Sequence, residues 1–344
     1  MTDAPGGSGA TVSSSNPLIT TNPAGGVGTL WSNSTTGEVF VCSDATAGVN
    51  IWLNVGYASG NVWQFGGTVA GFVAGSAPAS VTIDTFLFSS NVTASDHGDL
   101  SVSRGAGGGQ SSKTHGYTSG GGSPTVATID KFAFSSNVTA TAHGLLSVAR
   151  YYTTGQSSAT YGYTSGGIPS GGVIDKFAFT SNVTASDVGD LTAVRRSGSG
   201  HSSTTQGFIS GGFPDSNIID KFNFASDGNA TDHGDLSRTK SDATGCSSAT
   251  DGYTAGGAGQ TAPTEVIQID KFSFSSNTTA TDHGDLLADE YGTTGCSSTT
   301  HGYVAGGSAP VSNVVQKFSF SSSGNATDHG DLTVARADSS GTQY

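Results

Sequence analysis

The heptapeptide TIDKFAF, residues 128–134, is the stretch that decides the fold of this 344-residue chain. Its period-two alternation places Asp130, Phe132 and Phe134 on one face of a β-strand. The core of the heptapeptide, D-K-F-x-F, returns in five related copies, so the chain carries six repeats. The first phenylalanines of the six copies lie 46, 45, 45, 50 and 46 residues apart and are Phe86, Phe132, Phe177, Phe222, Phe272 and Phe318.

The sequence around the heptapeptide predicts three more strands in each repeat. GGQSSKT leads into HGYTSGG (115–121), a short strand stopped by glycines, because a chain that turns back there needs positive φ. After the heptapeptide, SSNVTATAHG is rich in turn residues, and LLSVAR (145–150) predicts a last strand. The repeat has the length of a four-stranded propeller blade and shows no helical period.

The two ends of the repeat region predict how it closes. GFVAGS (71–76) matches the glycine-stopped strand, and the last repeat stops at RADSSGTQY before its own copy of that strand. Six complete repeats exist only if both ends share one sheet, which removes the open edges. We therefore predict an all-β chain: a flexible arm (1–20), a small β-hairpin module (21–60), and a six-bladed β-propeller (61–344) closed by pairing of both termini.

Composition excludes several function classes. The net charge is −13, from 13 basic and 26 acidic residues, so binding to nucleic acid or an anionic membrane surface by bulk charge is excluded. No stretch reaches the ~20 apolar residues of a membrane span. The N-terminal residues lack the pattern of a secretory signal, so we expect the protein to act where it is made or to leave inside an assembled particle. Three cysteines predict no disulfide framework.

This pattern resembles the kelch repeat over residues 66–344. The likeness depends on the double glycine after the second strand, the aspartate and aromatic residues of the third strand, and a late arginine. The tryptophan of kelch repeats is replaced by the connection D-H-G-D-L. The late arginine is present in four repeats and changed in two: Arg104, Arg150, Arg195 and Arg336, with Lys240 and Glu290 in the other two.

The amino-acid sequence of the repeat is similar to that of kelch-type repeats in structural proteins of tailed bacteriophages, marine and cyanobacterial ones in particular. Residues 28–56, centred on T-T-G-E, are similar to short β modules that precede fibre or adhesin domains in such virion proteins. The resemblance implies a virion protein made in the host cytoplasm, homo-oligomeric, and joined to other virion proteins through its N-terminal module. It implies a tail-fibre or adhesin role in host recognition.

Two sets of residues vary between repeats, and varied loops on a rigid frame are the usual place for recognition. One set follows each double glycine and the other surrounds each late arginine. Tyrosine and arginine are frequent contact residues, so we predict a binding face for a host cell-surface glycan or protein. The predicted binding residues are Tyr151, Tyr152, Arg195, Arg196, Phe213, Asp215, Glu290 and Tyr291.

The D-H-G-D connections, such as Asp96-His97-Gly98-Asp99, contain the most chemically suggestive residues. Clustered carboxylates can line a calcium loop or a catalytic site. Ala142 and Val188 interrupt the pattern, and a site is normally built once. We therefore predict blade architecture, with aspartate capping a turn and pairing an arginine, and no metal site. The N-x-T sequence that recurs in all six repeats, first at Asn91, predicts a turn in the same way rather than glycosylation.

A second repeated position could line a central channel. It lies just before S-S, and if its strand is innermost, its side chains would form a ring that could trap an ion. The mixed chemistry of this position argues against a designed ligand set. Its occupants are Gln110, Gln156, His201, Cys246 and Cys296.

No enzyme signature breaks the repeat, so we predict no catalytic residue and no cofactor. Sialidase boxes, a copper constellation, a G-x-S-x-G elbow and a separate acidic pair are all missing from the sequence. The leading hypothesis is a receptor-binding virion protein. Alternatives are a capsid-decoration or tail-collar protein, a kelch-type interaction scaffold, and a carbohydrate-active enzyme.

Overall fold

The computed structural model describes residues 10–18, 20–35, 38–56, 65–259, 266–308 and 310–344, with only the backbone at 54–56. Throughout these ranges the regular structure is β-strand, and no helix occurs. Hence none of the described segments is a helix that could cross a membrane. The chain divides into two compact units, Met1–Trp63 and Gln64–Tyr344. The predicted all-β class is confirmed for the described residues.

Where the structure describes it, the N-terminal unit forms one four-stranded sheet. Its strands, in spatial order, are β1 (Thr11–Ser13), β2 (Leu30–Asn33), β3 (Val39–Asp44) and β4 (Ile51–Gly56). β1 runs parallel to β2, whereas the other pairs are antiparallel. Part of the predicted arm therefore belongs to this sheet, while residues 1–9 of the arm and 57–60 of the predicted module lie outside the described residues.

The described residues of the second unit form six four-stranded antiparallel sheets, here numbered 1 to 6 by the order of their D-K-F motifs. The first strands, from sheet 1 to sheet 6, are β28 (Ser340–Gln343), β8 (Gly108–Ser111), β12 (Thr154–Ser157), β16 (Ser199–Ser202), β20 (Thr244–Ser247) and β24 (Thr294–Ser297). The second strands are β5 (Ala70–Ala74), β9 (His115–Ser119), β13 (Tyr161–Ser165), β17 (Gln206–Ser210), β21 (Asp251–Ala255) and β25 (His301–Gly307).

The third strands carry the D-K-F motifs, and the fourth strands carry the D-H-G-D connections. The third strands are β6 (Ser80–Leu87), β10 (Thr128–Ala133), β14 (Val173–Ala178), β18 (Ile218–Asn223), β22 (Gln268–Ser273) and β26 (Ser312–Ser319). The fourth strands are β7 (Ser95–Arg104), β11 (Thr141–Leu145), β15 (Ser186–Asp190), β19 (Thr231–Asp235), β23 (Thr281–Asp285) and β27 (Thr327–Asp331).

Sheet 1 takes its strands from both ends of the second unit. β28 pairs antiparallel with β5, with Gly341 opposite Val73. The carbonyl of Tyr344 accepts hydrogen bonds from the N–H groups of Thr68, Val69 and Ala70, at 2.9, 2.6 and 3.0 Å. In sheets 2 to 6 the four strands follow one another in chain order.

Stacked aromatic rings join each sheet to the next. In every pair, one ring comes from the G-[YF] strand and the other is the last phenylalanine of the neighbouring D-x-F-x-F motif. Offset stacking of this kind adds roughly 0.5–1.5 kcal/mol per pair beyond the burial of apolar area. The six pairs have ring centroids 4.6 to 4.8 Å apart and are Phe72–Phe134, Tyr117–Phe179, Tyr163–Phe224, Phe208–Phe274, Tyr253–Phe320 and Tyr303–Phe88.

Buried polar pairs also join neighbouring sheets. The late arginine or lysine of one repeat pairs with the D-K-F aspartate of the next, as in Arg104–Asp130 at 2.7 Å. The prediction that the D-H-G-D aspartates pair the arginines is therefore wrong, because the arginine side chain runs between sheets, where the third-strand aspartate is buried. The other ion pairs of this series are Arg150–Asp175, Arg195–Asp220, Lys240–Asp270 and Arg336–Asp84.

The D-H-G-D connections hold the outer parts of the sheets together. The carboxylate of Asp96 accepts a hydrogen bond from the N–H of Gly98 at 2.8 Å, which is the predicted turn capping. His97 donates from Nε2 to the carbonyl of Ala133 in the next sheet at 2.8 Å. The same histidine bond recurs at His143, His233, His283 and His329, at 2.7 or 2.8 Å.

Candidate functional site

A ring of backbone hydrogen bonds passes through all six sheets, two residues after each late arginine. Each N–H of this ring donates to the carbonyl of the equivalent residue in the preceding sheet, over 2.6 to 3.0 Å. All six residues have left-handed φ, between 50° and 63°. We call them the ring residues: Ala106, Tyr152, Ser197, Asp242, Gly292 and Asp338.

Three residues further on, glycine occupies every sheet because the first strands approach one another too closely for a side chain. A methyl group on Gly155 would overlap the carbonyl oxygen of Gly109, and the same holds around the series. At this position each first strand therefore lies directly against the next one. The glycines are Gly109, Gly155, Gly200, Gly245, Gly295 and Gly341.

The ring residues and these glycines line a central cavity of about 120 Å³. Because each first strand is at the edge of its sheet, mainly its backbone faces this cavity. Among the ring residues, Tyr152, Ser197, Asp242 and Asp338 contribute polar side chains to the lining. Phe65 lines the cavity too, and Gln343 donates to the Phe65 carbonyl at 2.9 Å.

We call the end of the cavity formed by the ring residues its mouth, and the carboxylates of Asp242 and Asp338 make it negative. Burial and the charge of Asp242 raise the pKa of Asp338 to about 6. Gly292, which lies between these two in the ring, leaves room for the Asp338 carboxylate: a methyl group on Gly292 would lie 2.8 Å from Asp338 Oδ1. Asp242 accepts a hydrogen bond from the Ser241 hydroxyl at 3.2 Å.

An aromatic cluster adjoins the cavity at Tyr152. The rings of Tyr151 and Tyr152 lie 5.0 Å apart, and the guanidinium of Arg196 lies 5.7 Å from the Tyr152 ring and 4.4 Å from the Phe213 ring. Burial raises the pKa of Tyr152, with contributions from Asp338 and Asp242. The cluster and the carboxylates therefore share one electrostatic environment. Four of the predicted binding residues come together here.

Arg195 and Glu290 do not belong to this surface, and their predicted role in binding is corrected. Both are buried between sheets. Arg195 pairs with Asp220, and Glu290 accepts a hydrogen bond from Gln316 Nε2 at 3.0 Å. The physical reason is that side chains at their position lie in the contact between sheets, whereas the side chain of the following residue faces outward.

The last two predicted residues are half-buried and lie apart from each other. Asp215 follows Phe213-Pro214 in the loop next to the aromatic cluster. Tyr291 forms a backbone bridge with Ser308, as Tyr151 does with Ile168. Tyr291 therefore occupies in sheet 6 the place that Tyr151 has in sheet 3, away from the cluster.

The predicted Gln, His and Cys ring does not line the cavity. Gln110 donates to the Tyr163 carbonyl at 3.0 Å, and Cys246 donates to the Tyr303 carbonyl at 3.5 Å. Side chains of an edge strand project to the two faces of its sheet, and here each face meets a neighbouring sheet. Within the described ranges, no group of three or more His, Cys, Asp or Glu residues could hold a metal ion.

Sequence reasoning missed Ser197, Asp242 and Asp338 as site residues. Each stands two positions after a late arginine or lysine, so aligning the repeats at that position would have found them. The repeated phenylalanines, by contrast, are buried in the third strands, as at Phe132 and Phe177, and have a structural role.

Neither a protein-family model nor a curated protein matches the sequence. Among solved structures, the chain is similar to one described as the structure of YjhT, with a TM-score of 0.58 and 12% sequence identity. The match covers 70% of this chain and 88% of that one. At such low sequence identity, the likeness supports a similar fold and says nothing about function. With the four-stranded antiparallel sheets, the match indicates a β-propeller-like all-β fold.

Proposed function

We propose that Gln64–Tyr344 is a six-bladed, kelch-like β-propeller closed by strands from both of its ends. The contacts between first strands support this: β8 contacts β12, and the series runs through β16, β20, β24 and β28 back to β8. The hydrogen bonds of the ring residues, the stacked aromatic pairs and the pairing of β28 with β5 follow the same cyclic order.

On this frame, the function best supported is that of a non-enzymatic phage virion protein, a tail-fibre or receptor-binding component that recognises the host surface. One observation carries the proposal. Inside the sheets and between them the repeats use mostly the same residues, whereas Tyr152, Arg196 and Phe213 differ from their counterparts and converge with Tyr151 beside the cavity. Variation concentrated at one place on a repeated frame is typical of a recognition surface.

The N-terminal unit would dock the protein to other virion proteins. One face of its sheet carries an exposed apolar patch, which suits burial against a partner. Leu30, Ile51 and Leu53 are 44%, 51% and 51% exposed, and Val41 lies opposite both Leu30 and Leu53 in the strand register. No basic residue occurs in residues 1–63, so the contact would be mainly apolar.

Glycan hydrolysis is a second candidate function, favoured by one observation. Hydrolysis of a glycosidic bond commonly needs two carboxyl groups, one of which has a raised pKa and acts as the acid. Asp242 and Asp338 line one cavity, and the pKa of Asp338 is raised to about 6. Release of reducing ends from a bound polysaccharide, lost in Asp338→Asn, would favour this function over display without turnover.

Cryo-electron microscopy of the particle that contains the protein tests the leading proposal. We expect the chain at the tail tip or on fibres, with the aromatic cluster facing outward and the N-terminal unit against the tail. Purified protein should then compete with the particle for adsorption to host cells.

Two outcomes would overturn the receptor-binding role. If the chain coats the capsid or collar with the cluster packed against a neighbour, it is an assembly protein. If purified particles lack the chain, the kelch-type interaction scaffold becomes the better interpretation.

A further inference from the structure

We propose that the mouth of the central cavity binds one sugar ring of a neutral or amino-bearing polysaccharide, with Tyr151, Tyr152, Arg196, Asp242 and Asp338 as its contacts. This inference rests on the proposed function, since it names the ligand class of the same recognition surface.

The frame of the mouth does not depend on the side chains that it displays. The ring hydrogen bonds use backbone groups alone, and Gly292 takes part in them without any side chain. The other sheets place tyrosine, serine, aspartate or alanine at the equivalent position, with nearly the same φ. The side chains of Tyr152, Asp242 and Asp338 are therefore not needed to hold this frame and can contact a ligand.

The side chains at the mouth match the chemistry of a sugar. The apolar face of a pyranose packs on an aromatic ring, and its hydroxyl groups bond to acceptors and donors that are fixed in place. Tyr152 supplies such a ring because it belongs both to the cavity lining and to the aromatic cluster. Asp242 and Asp338 supply acceptors, and Arg196, held between two rings, supplies donors.

The size of the cavity and the charge around its mouth restrict the class of ligand that can bind. About 120 Å³ is small beside the roughly 300–1,000 Å³ of clefts for drug-sized ligands, so one ring enters and its neighbours run over the aromatic cluster. The two carboxylates at the mouth, and a net charge of −13 overall, repel an acidic polysaccharide. A neutral or amino sugar meets no such repulsion.

Isothermal titration of the full chain tests the proposal with three probes: cellotriose, chitosan trisaccharide and trigalacturonic acid. We expect at least one of the first two to bind and trigalacturonic acid not to bind. The repeats provide variants that the backbone already accepts, because Ala106 and Ser197 have φ of 55° and 53° at ring positions. Tyr152→Ala and Asp242→Ser should each weaken binding tenfold or more without lowering the melting temperature.

Val138→Ala, at a side chain 53% exposed in an outer turn, is the matched control and should bind as the wild type does. Failure of all three probes to bind, stronger binding of trigalacturonic acid, or unchanged affinity of both ring variants would overturn the proposal. If Tyr152→Ala still adsorbs to host cells like the wild type, the site is wrong while the receptor-binding role stands. If a probe binds as expected but purified particles lack the chain, the site stands and the virion role fails.

Discussion

His201 shows how a single buried residue fits the contact between two sheets. Its Nδ1 donates to the carbonyl of Cys246 in the next sheet at 3.1 Å, and its Nε2 lies 2.9 Å from the Ser210 hydroxyl. The carbonyl can only accept, so Nδ1 carries the proton and Nε2 accepts from the hydroxyl. Burial lowers the pKa of His201 to about 4, and the ring stays neutral at physiological pH.

His201→Gln should reduce the loss of stability in acid. The folded-state pKa of about 4 lies below the unfolded value near 6.5, so the unfolded chain binds more protons between the two. Stability is therefore fully present above pH 6.5 and falls as the pH drops toward 4, by up to about 3 kcal/mol for this residue. Gln110 and Gln156 occupy the same position in two other sheets, so the variant should fold.

Urea denaturation at pH 7.5 and pH 4 measures the effect. His233 and His329 also have lowered pKa values, so the wild-type protein loses stability from several groups. The comparison with His201→Gln isolates one of them. An equal loss in the two proteins would show that His201 does not titrate in this range.

Gly155→Ala should destabilise the protein by about 1–3 kcal/mol or more, because the new methyl group would meet the backbone of Gly109 rather than a movable side chain. Gly324→Ala is the control, since a methyl group there meets nothing within 4 Å. Its effect should stay within about 0.5 kcal/mol. Equal denaturation midpoints for the two variants would contradict the close approach of the first strands.

At the scale of elements, the contact between sheets 5 and 6 departs from the others. Elsewhere a buried cation faces a buried aspartate, but here Glu290 and Gln316 take their places, joined by a 3.0 Å hydrogen bond. Burial raises the pKa of Glu290. The two changes compensate each other, because either one alone would leave a charge without its partner.

A double-mutant cycle at this contact should show strong coupling. Glu290→Arg alone places a buried cation opposite a neutral amide, and Gln316→Asp alone places two carboxyl groups together. Each should cost on the order of 3–5 kcal/mol, the usual loss when a buried charge lacks its partner. The double variant rebuilds the pair of the other sheets and should recover most of that loss. Additive losses in chemical denaturation would contradict this account.

At the scale of the whole molecule, stability depends on the sheet shared by the two ends of the second unit. β28 supplies the first strand of sheet 1, and Tyr344 accepts three backbone hydrogen bonds from Thr68, Val69 and Ala70. Without this strand, β5 becomes an open edge that can pair with other chains. In a closed ring, the loss of β28 would destabilise all six sheets.

Removal of residues 340–344 should therefore lower the melting temperature of the whole second unit, on the order of 10 °C, and promote aggregation. Calorimetry and light scattering measure the two effects. Val334→Ala, at a side chain 63% exposed in the same C-terminal segment, should change neither. A truncated protein that melts like the intact one would exclude closure through β28.

The sequence by itself determined the repeat and its strands. The recurrence of D-x-F-x-F and G-[YF] is visible in the chain, and alternation along a strand is local, so the third strands and their buried phenylalanines could be predicted. Turn capping in the D-H-G-D connections could be predicted for the same reason, since Asp96 bonds to a residue two positions away.

Only the tertiary structure decided which side chains meet. Arg195 pairs with an aspartate 25 residues away, Gln110 points between sheets, and Asp242 and Asp338 share one cavity although 96 positions separate them. The direction of a side chain on an edge strand depends on what packs against each face of its sheet. That information lies in the arrangement of the six sheets, because residues equivalent in sequence are brought together only when the repeats pack side by side.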